Sequence, residues 1–273
     1  MGNWEATARI LENLRRSVED VRRRVGYLET NAETLPPPSV AAPFLALPGL
    51  RGLWTMGAFD GDGNAHDLSG HGHVLTYNGN PTYGYAGFVP YIDFDGVGDY
   101  LNRADDADFD IAGTESYVAP GAQGVTLGGW FYIHTMPGAR QYLRLMSKGA
   151  STGNVRSYAL YVDVGRVVFL VSQDGASFSL AQIAITAGAW YWVVGRYIPG
   201  TEIAVFCNSQ VNRRVTSIPA ALYNSAVGFS IGGQADGTNL IQARASMCWL
   251  SAMALGNEQI GRPFTLTRGF YGV

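Results

Sequence analysis

"AWYWVVGRYIPGTEIAVFCNSQ", residues 189–210, decides the fold class. A run dominated by Trp, Tyr, Val and Ile meets Ile198-Pro199-Gly200-Thr201, and a second run of β-branched and aromatic residues follows. Two such runs joined by a Pro-Gly turn read as a β-hairpin, with glycine supplying the positive φ that a tight connection demands. Trp190, Trp192 and Val194 alternate with Tyr191, Val193 and Tyr197, so both faces of the first strand are apolar. A sandwich strand with one wet face alternates apolar with polar. Some outer surface must therefore be covered, by a loop, a neighbouring subunit or a ligand.

Working outward, the same texture extends from Gly49 to Val273. Short runs such as "VTLGGWFYIH", "LRLMSKG", "YALYVDV", "RVVFLVSQ", "FSLAQIAI", "VGFSIGGQ" and "ASMCWLSAMAL" are broken by Gly, Asn and Asp. No helical period intervenes to build a parallel sheet, so the pattern predicts a mainly β protein, an antiparallel β-sandwich of jelly-roll type. "GNEQI", near the end, reads as a single helical turn.

The first residues have a different character. Trp4, Thr7, Leu11, Leu14, Val18, Val21, Val25 and Leu28 fall at alternating steps of three and four, a heptad seam with a and d positions filled. Glu5 and Arg9, Glu12 and Arg16, and Glu19 and Arg23 are spaced i,i+4 on the outer face, worth roughly 0.3 to 0.5 kcal/mol a pair. So narrow a stripe has nowhere to hide on a lone helix, which implies partners. Valine at both a and d resembles the pattern that favours trimers. Residues 1–30 therefore read as a coiled-coil oligomerisation helix whose seam is Trp4, Leu11, Leu14, Val18, Val21, Val25 and Leu28. Residues 31–48, with five prolines, read as an extended polyproline II linker, and residues 49–273 as the sandwich.

Composition narrows the function classes. A net charge of -3 advertises no nucleic-acid partner. Of the 19 basic residues only Lys148 is a lysine. Cys207 and Cys248 are too few for a disulfide framework and read as buried free thiols. No secretion signal opens the chain and no apolar run reaches the length of a membrane span, so neither export by the classical route nor membrane insertion is expected.

The order of the pieces resembles the laminin-G-like jelly roll of the concanavalin A-like lectin and glucanase superfamily. "GLWTMGAFDGDGNAHDLSGHGHVLTYNG" is similar to that family's opening, with Asp67-Leu68-Ser69-Gly70 in place of its Asp-Ser-Ser-Gly stretch, and "YIDFDGVGDYL" to its Phe-Asp-Gly followed by an Asp-Tyr strand. "LMSKGA", "YALYVDVGRVVFLV", "AWYWVVGRY", "TEIAVFCNS", "FSIGGQ" and "CWLSAMALGNEQI" follow in the family's order, so the resemblance spans nearly all of residues 49–265. It implies the concanavalin A-like sandwich, an architecture that hosts glycan binders, hydrolases and purely structural modules alike.

The hydrolase branch needs two carboxylates facing one scissile bond. Beyond residue 49 the glutamates are Glu115, Glu202 and Glu258, none in a Glu-x-Asp-x-Glu-like run, and Asp93 and Asp95 coincide with the family's structural turn. No catalytic residue is assigned and no enzyme activity is expected. Asp60, Asp62 and Asn64 match the first three ligand spacings of a calcium loop, but Ala65 stands where glycine belongs and His71 where the bidentate glutamate belongs. Calcium keeps a weak claim on this stretch, as do zinc and nickel through the spacing of His66, His71 and His73, and the expectation is no cofactor and no metal. His66, His71 and His73, beside serine and glycine, read as solvated turn histidines.

Sugars stack an apolar face on aromatic rings and hydrogen-bond at their edges. Asn78, Asn80, Tyr83, Tyr85 and Tyr91, in the loop-like "NGNPTYGYAGFVPY", are the carbohydrate-binding candidates by composition. A heptad helix, a proline spacer and a lectin-like sandwich together point to a homotrimeric virion appendage on the surface of a phage particle: a tail fibre, head fibre or decoration protein, made in the host cytoplasm. Its partners would be a capsid or tail protein at the stalk base and a cell-surface glycan at the tip. The rivals are a purely structural cap and a cellular carbohydrate-binding adhesin.

Overall fold

In the computed structural model, residues 38–60, 64–111 and 124–273 are described, without the side chains of residues 38–39 and 58–60. The heptad positions Trp4 to Leu28 lie outside the described residues, as do Asp62 and the side chain of Asp60. No described helix is long and apolar enough to cross a membrane.

From Pro38 onward the extended linker expected up to residue 48 is replaced by a helix, α1 (Pro38–Leu45). Its Val40, Ala41 and Phe44 are buried, as is Leu47 just beyond it. Proline at the first helical position leaves no donor missing, and an apolar face with a sheet to rest on outweighs the extended preference of a proline-rich stretch.

The strands follow in chain order: β1 (Leu50–Asp60), β2 (Asn64–Asp67), β3 (Leu75–Asn78), β4 (Thr82–Ala86), β5 (Val89–Asp95), β6 (Tyr100–Arg103), β7 (Val125–Ile133) and β8 (Leu143–Ala150). After these come β9 (Val155–Asp163), β10 (Arg166–Val171), β11 (Ser179–Ala184), β12 (Ala189–Ile198), β13 (Glu202–Cys207), β14 (Gln210–Arg214), β15 (Phe229–Ile231) and β16 (Gln242–Ser251). All described ladders are antiparallel. One path of pairing runs β11-β10-β9-β8-β15-β6-β3-β2-β1-β16-β7-β12-β13-β14, and the β4–β5 hairpin joins it at β16. This path folds over on itself, so that β10 and β11 pack against β12, β13 and β14 across the core. The result is the expected antiparallel sandwich.

Tyr158, Leu160 and Val162 of β9 and Val167, Phe169 and Val171 of β10 meet Val193, Tyr197, Ile203 and Val205 of β12 and β13 in that core. Gly195 lets the layers touch: a Cβ placed there would lie 2.3 Å from Phe169 Cδ2. In β16 the register shifts between Ser246 and Trp249, and Met247 takes φ 48°. This bulge lets Ala245 and Cys248 both face the core, which strict alternation forbids.

The apolar outer face of "AWYWVVGRYI" is covered by the chain itself. Trp130, Trp192, Val194, Phe206, Met247 and Trp249 form a second cluster with Phe44 of α1 and with Ile260 and Tyr271. Ile260 belongs to α2 (Asn257–Thr267), a helix where one turn was expected. Gln259 Oε1 accepts the Gly256 N–H at 2.8 Å and holds its first turn. Behind it Tyr271 stacks on Trp130 at 4.2 Å between ring centroids, while Trp130 Nε1 donates to Thr267 Oγ1 at 2.9 Å. The C-terminal segment is thus a lid over one sheet.

Candidate functional site

Among the described residues the other sheet has no such lid. On its outer side Ala159 and Tyr161 of β9, Val168 and Leu170 of β10, and the half-buried Leu180 of β11 form a small apolar floor separate from the core. This floor underlies a cavity of about 480 Å³ whose lining includes Tyr142, Arg144, Ser151, Arg156, Arg166 and Phe178. Tyr142 and Phe178 are 45% and 50% exposed and stand at the rim as accessible rings. The Tyr142 ring meets Tyr161 edge-on at 5.9 Å. Phe178 also lines a neighbouring cavity of about 460 Å³ with Gln173, Asp174 and Ser217, which lengthens the concave surface.

The charges of the groove are unevenly compensated. Arg166 forms a two-pronged pair with Asp163, Nε to Oδ1 and Nη2 to Oδ2 both at 2.9 Å. Arg156 donates to the carbonyls of Ser151, Gly175 and Ala176 at 3.0 to 3.3 Å and lies 5.9 Å from the Phe178 ring centre. Arg144 is only 3% exposed. Its Nη2 donates to Ser151 Oγ at 2.6 Å and its guanidinium sits 4.9 Å over the Tyr161 ring, but among the described residues Nε and Nη1 have no hydrogen-bond partner. Burial pushes the Arg144 pKa down to about 10; burial pushes Tyr161 up to about 12, opposed by the Arg144 charge. Ser151 is itself fixed, its N–H donating to Gln234 Oε1 at 2.7 Å, and Gln234 Nε2 donates to Thr238 Oγ1 at 2.6 Å. These arginines carry no signal in the order of residues, because they are scattered over β8, β9 and β10 and strand pairing alone makes them neighbours.

The five composition-based candidates are not brought into one site. Their "loop" is a β-hairpin: Tyr83 and Tyr85 lie on β4, Tyr91 on β5 and Asn78 at the end of β3. Tyr85 is 61% exposed, and Tyr83 meets Tyr77 edge-on at 6.2 Å. Tyr91 pairs across the hairpin with Gly84, so it leaves the opposite side of β4 and β5 from Tyr83 and Tyr85. There it packs 5.8 Å from Trp190, with the Arg244 guanidinium 4.7 Å above its ring. Asn78 Nδ2 donates to Asn102 Oδ1 at 3.1 Å, and the Asn80 N–H donates to Asp99 Oδ1 at 2.7 Å.

One cluster among the described residues has metal-ligand chemistry: His73, Asp106 and Asp108 offer ligand atoms within 4.8 Å of one another. His73, expected in solvent, is buried. Its Nδ1 lies 2.6 Å from the Arg51 carbonyl and therefore carries a proton, while Nε2 faces Asp108 Oδ2 at 3.3 Å and Asp106 Oδ2 at 3.8 Å. Arg103 Nη2 already pairs with Asp106 at 2.7 Å and Arg51 Nε stands 3.9 Å from Asp108. The two guanidinium groups offset the two carboxylates, so the cluster needs no ion for charge balance. Nearby, Asp67 organises the family-like turn, accepting from the N–H groups of Leu53, Ser69 and His73 at 2.8 to 3.0 Å. Asp93, set aside above as structural, bonds His134 Nε2 and Arg244 Nε, both at 2.8 Å.

No protein-family model and no curated protein sequence matches the chain. Solved structures do share its fold. The binding domain of Paraclostridial Mosquitocidal Protein 1 superposes with a TM-score of 0.63 at 10% identity, over 82% of this chain and 55% of that one. The receptor binding domain of botulinum neurotoxin C/D mosaic serotype gives 0.58 at 10% identity, over 80% and 51%. The binding domain of botulinum neurotoxin DC in complex with SialylT gives 0.57 at 10% identity, again over 80% and 51%. The chain spans about half the length of these structures. At such identities the likeness establishes a shared β-sandwich fold.

Proposed function

We propose that the chain is a non-catalytic virion appendage, a phage tail fibre, head fibre or decoration protein, that presents its sandwich for binding host-surface glycans. The observation that carries the binding half is the groove itself, uncovered among the described residues: an apolar floor, two exposed rings and several fixed polar groups in a cavity large enough for a few sugar units. Apolar stacking with a small number of oriented hydrogen bonds is how sugars are held. The fold neighbours are receptor-binding and binding domains, one of them in complex with SialylT, which supports the same direction. The appendage half rests on the heptad seam from Trp4 to Leu28. Three weak sites on one stalk gain avidity through effective concentration.

A glycan array of bacterial surface polysaccharides, probed with the full chain, tests the binding: signal is expected, weakened at least tenfold by Tyr142→Ala together with Phe178→Ala. An array without signal would favour a purely structural cap. Native mass measurement tests the stalk, with a trimer expected for the full chain and a smaller species for a chain beginning at Pro36, where the compact unit holding the sandwich starts. A monomer at micromolar concentration would remove the appendage reading.

A further inference from the structure

We infer that the groove over β8 to β11 is built for a glycan bearing a carboxylate, with Arg144 supplying the opposing charge; this rests on the glycan-binding reading above. A guanidinium withdrawn from water loses hydration that only hydrogen bonds and a counter-charge restore. Arg144 is 3% exposed, and among the described residues its guanidinium has one hydrogen bond, to Ser151 Oγ, and no carboxylate in ion-pair range. The guanidinium sits over the Tyr161 ring face and feels the Asp236 charge from beyond ion-pair range, and together these fall short of a paired ion. Neutral sugars need no such group.

The rest of the lining agrees. Arg144, Arg156 and Arg166 line one cavity and Asp163 is the carboxylate among its lining residues, in a chain whose total charge is -3. Arg166 is committed to Asp163 and Arg156 to backbone carbonyls, which leaves Arg144 as the uncommitted charge. Ser151, which accepts from Arg144 Nη2, is itself fixed by its N–H bond to Gln234 Oε1, the kind of supporting contact that keeps a recognition group in place. A charge held in the wall of the groove acts on a carboxylate through a low local dielectric, which strengthens the attraction. The carboxylate belongs either to a terminal sialic acid or to a hexuronic acid within a chain.

Titration calorimetry on the full chain, with 3'-sialyllactose, tetragalacturonate and the carboxyl-reduced form of each, tests the inference. Binding of one acidic oligosaccharide at least tenfold tighter than its reduced form supports it and identifies which kind of acid the groove takes. Arg144→Met keeps the volume and removes the charge. It should abolish the preference for the acidic form while leaving the melting temperature of the free protein unchanged or higher, because an uncompensated buried charge no longer has to be held. A lowered melting temperature with the acidic preference intact would assign Arg144 to the fold and overturn the inference. Equal affinity for acidic and reduced oligosaccharides would overturn it while leaving glycan binding standing. Absence of binding to every oligosaccharide, together with an empty glycan array, would remove both.

Discussion

Lys148 Nζ and Asp110 Oδ1 meet 3.1 Å apart, and the lysine, the chain's only one, is 1% exposed. Its ammonium also bonds Asp105 and the carbonyls of Ser225 and Val227. All three donor directions are used, and the segment from Asp105 to Asp110 is tied to β8. Removing one partner of a buried pair leaves the other charge desolvated. Lys148→Met should therefore destabilise the protein by about 3 to 5 kcal/mol in urea unfolding, and adding Asp110→Asn should recover part of the loss. Equal stability of Lys148→Met and the parent would show that the pair contributes nothing.

The C-terminal lid should be a stability element. Tyr271 stacks on Trp130 and its hydroxyl lies 2.8 Å from Ser246 Oγ. Tyr271→Ala removes a buried ring and is expected to cost about 3 kcal/mol or more. Tryptophan emission of the variant should shift to the red, because Trp130 gains water. A native emission maximum with unchanged denaturation midpoint would place the lid outside the cooperative fold.

Gly195 sits where the two layers come into van der Waals contact. Gly195→Ala has to displace the Phe169 ring or the backbone of β12, an overpacking cost of about 1 to 3 kcal/mol. Pairing it with Phe169→Leu should return some of that stability in a double-mutant cycle; strictly additive effects would contradict the contact.

Burial pushes the Cys207 thiol up to about 12 and raises Cys248 as well. At pH 8 the thiolate that would react is scarce and enclosed. Ellman's reagent should label neither cysteine in the folded protein and both in guanidinium chloride.

Asp106 is subject to opposing influences: partial burial raises its pKa, but the hydrogen bonds from Arg103 and the Asp108 N–H and the His73 and Arg103 charges outweigh it, and the net direction is down. A carboxyl with a depressed folded pKa contributes stability that is fully present above its unfolded value of about 3.9 and lost as pH falls through the folded one. Arg103→Gln should therefore move the acid-unfolding midpoint to higher pH in a circular dichroism titration below pH 4. No movement would show that Arg103 is not what holds Asp106 ionised.

What the sequence by itself determined was local in origin. Runs of β-branched and aromatic residues broken by Gly, Asn and Asp, with the Pro-Gly turn at 199–200, specify strands and a hairpin through backbone sterics, so the antiparallel sandwich was legible, and the two-sided apolarity of Trp190 to Tyr197 announced a covered face. Which element covers it was not legible, because α2 contains Gly261 and Pro263, which obscure its helical period, and because an apolar face does not name its partner. The same limit applies to proline-rich residues 38–45, which become a helix once Phe44 can rest beside Trp192 at 5.9 Å between ring centroids. The groove was decided by tertiary structure alone. Arg144, Arg156 and Arg166 carry no motif, and burial of a charge, the property that singles out Arg144, belongs to the assembled sheet and has no expression in the order of residues.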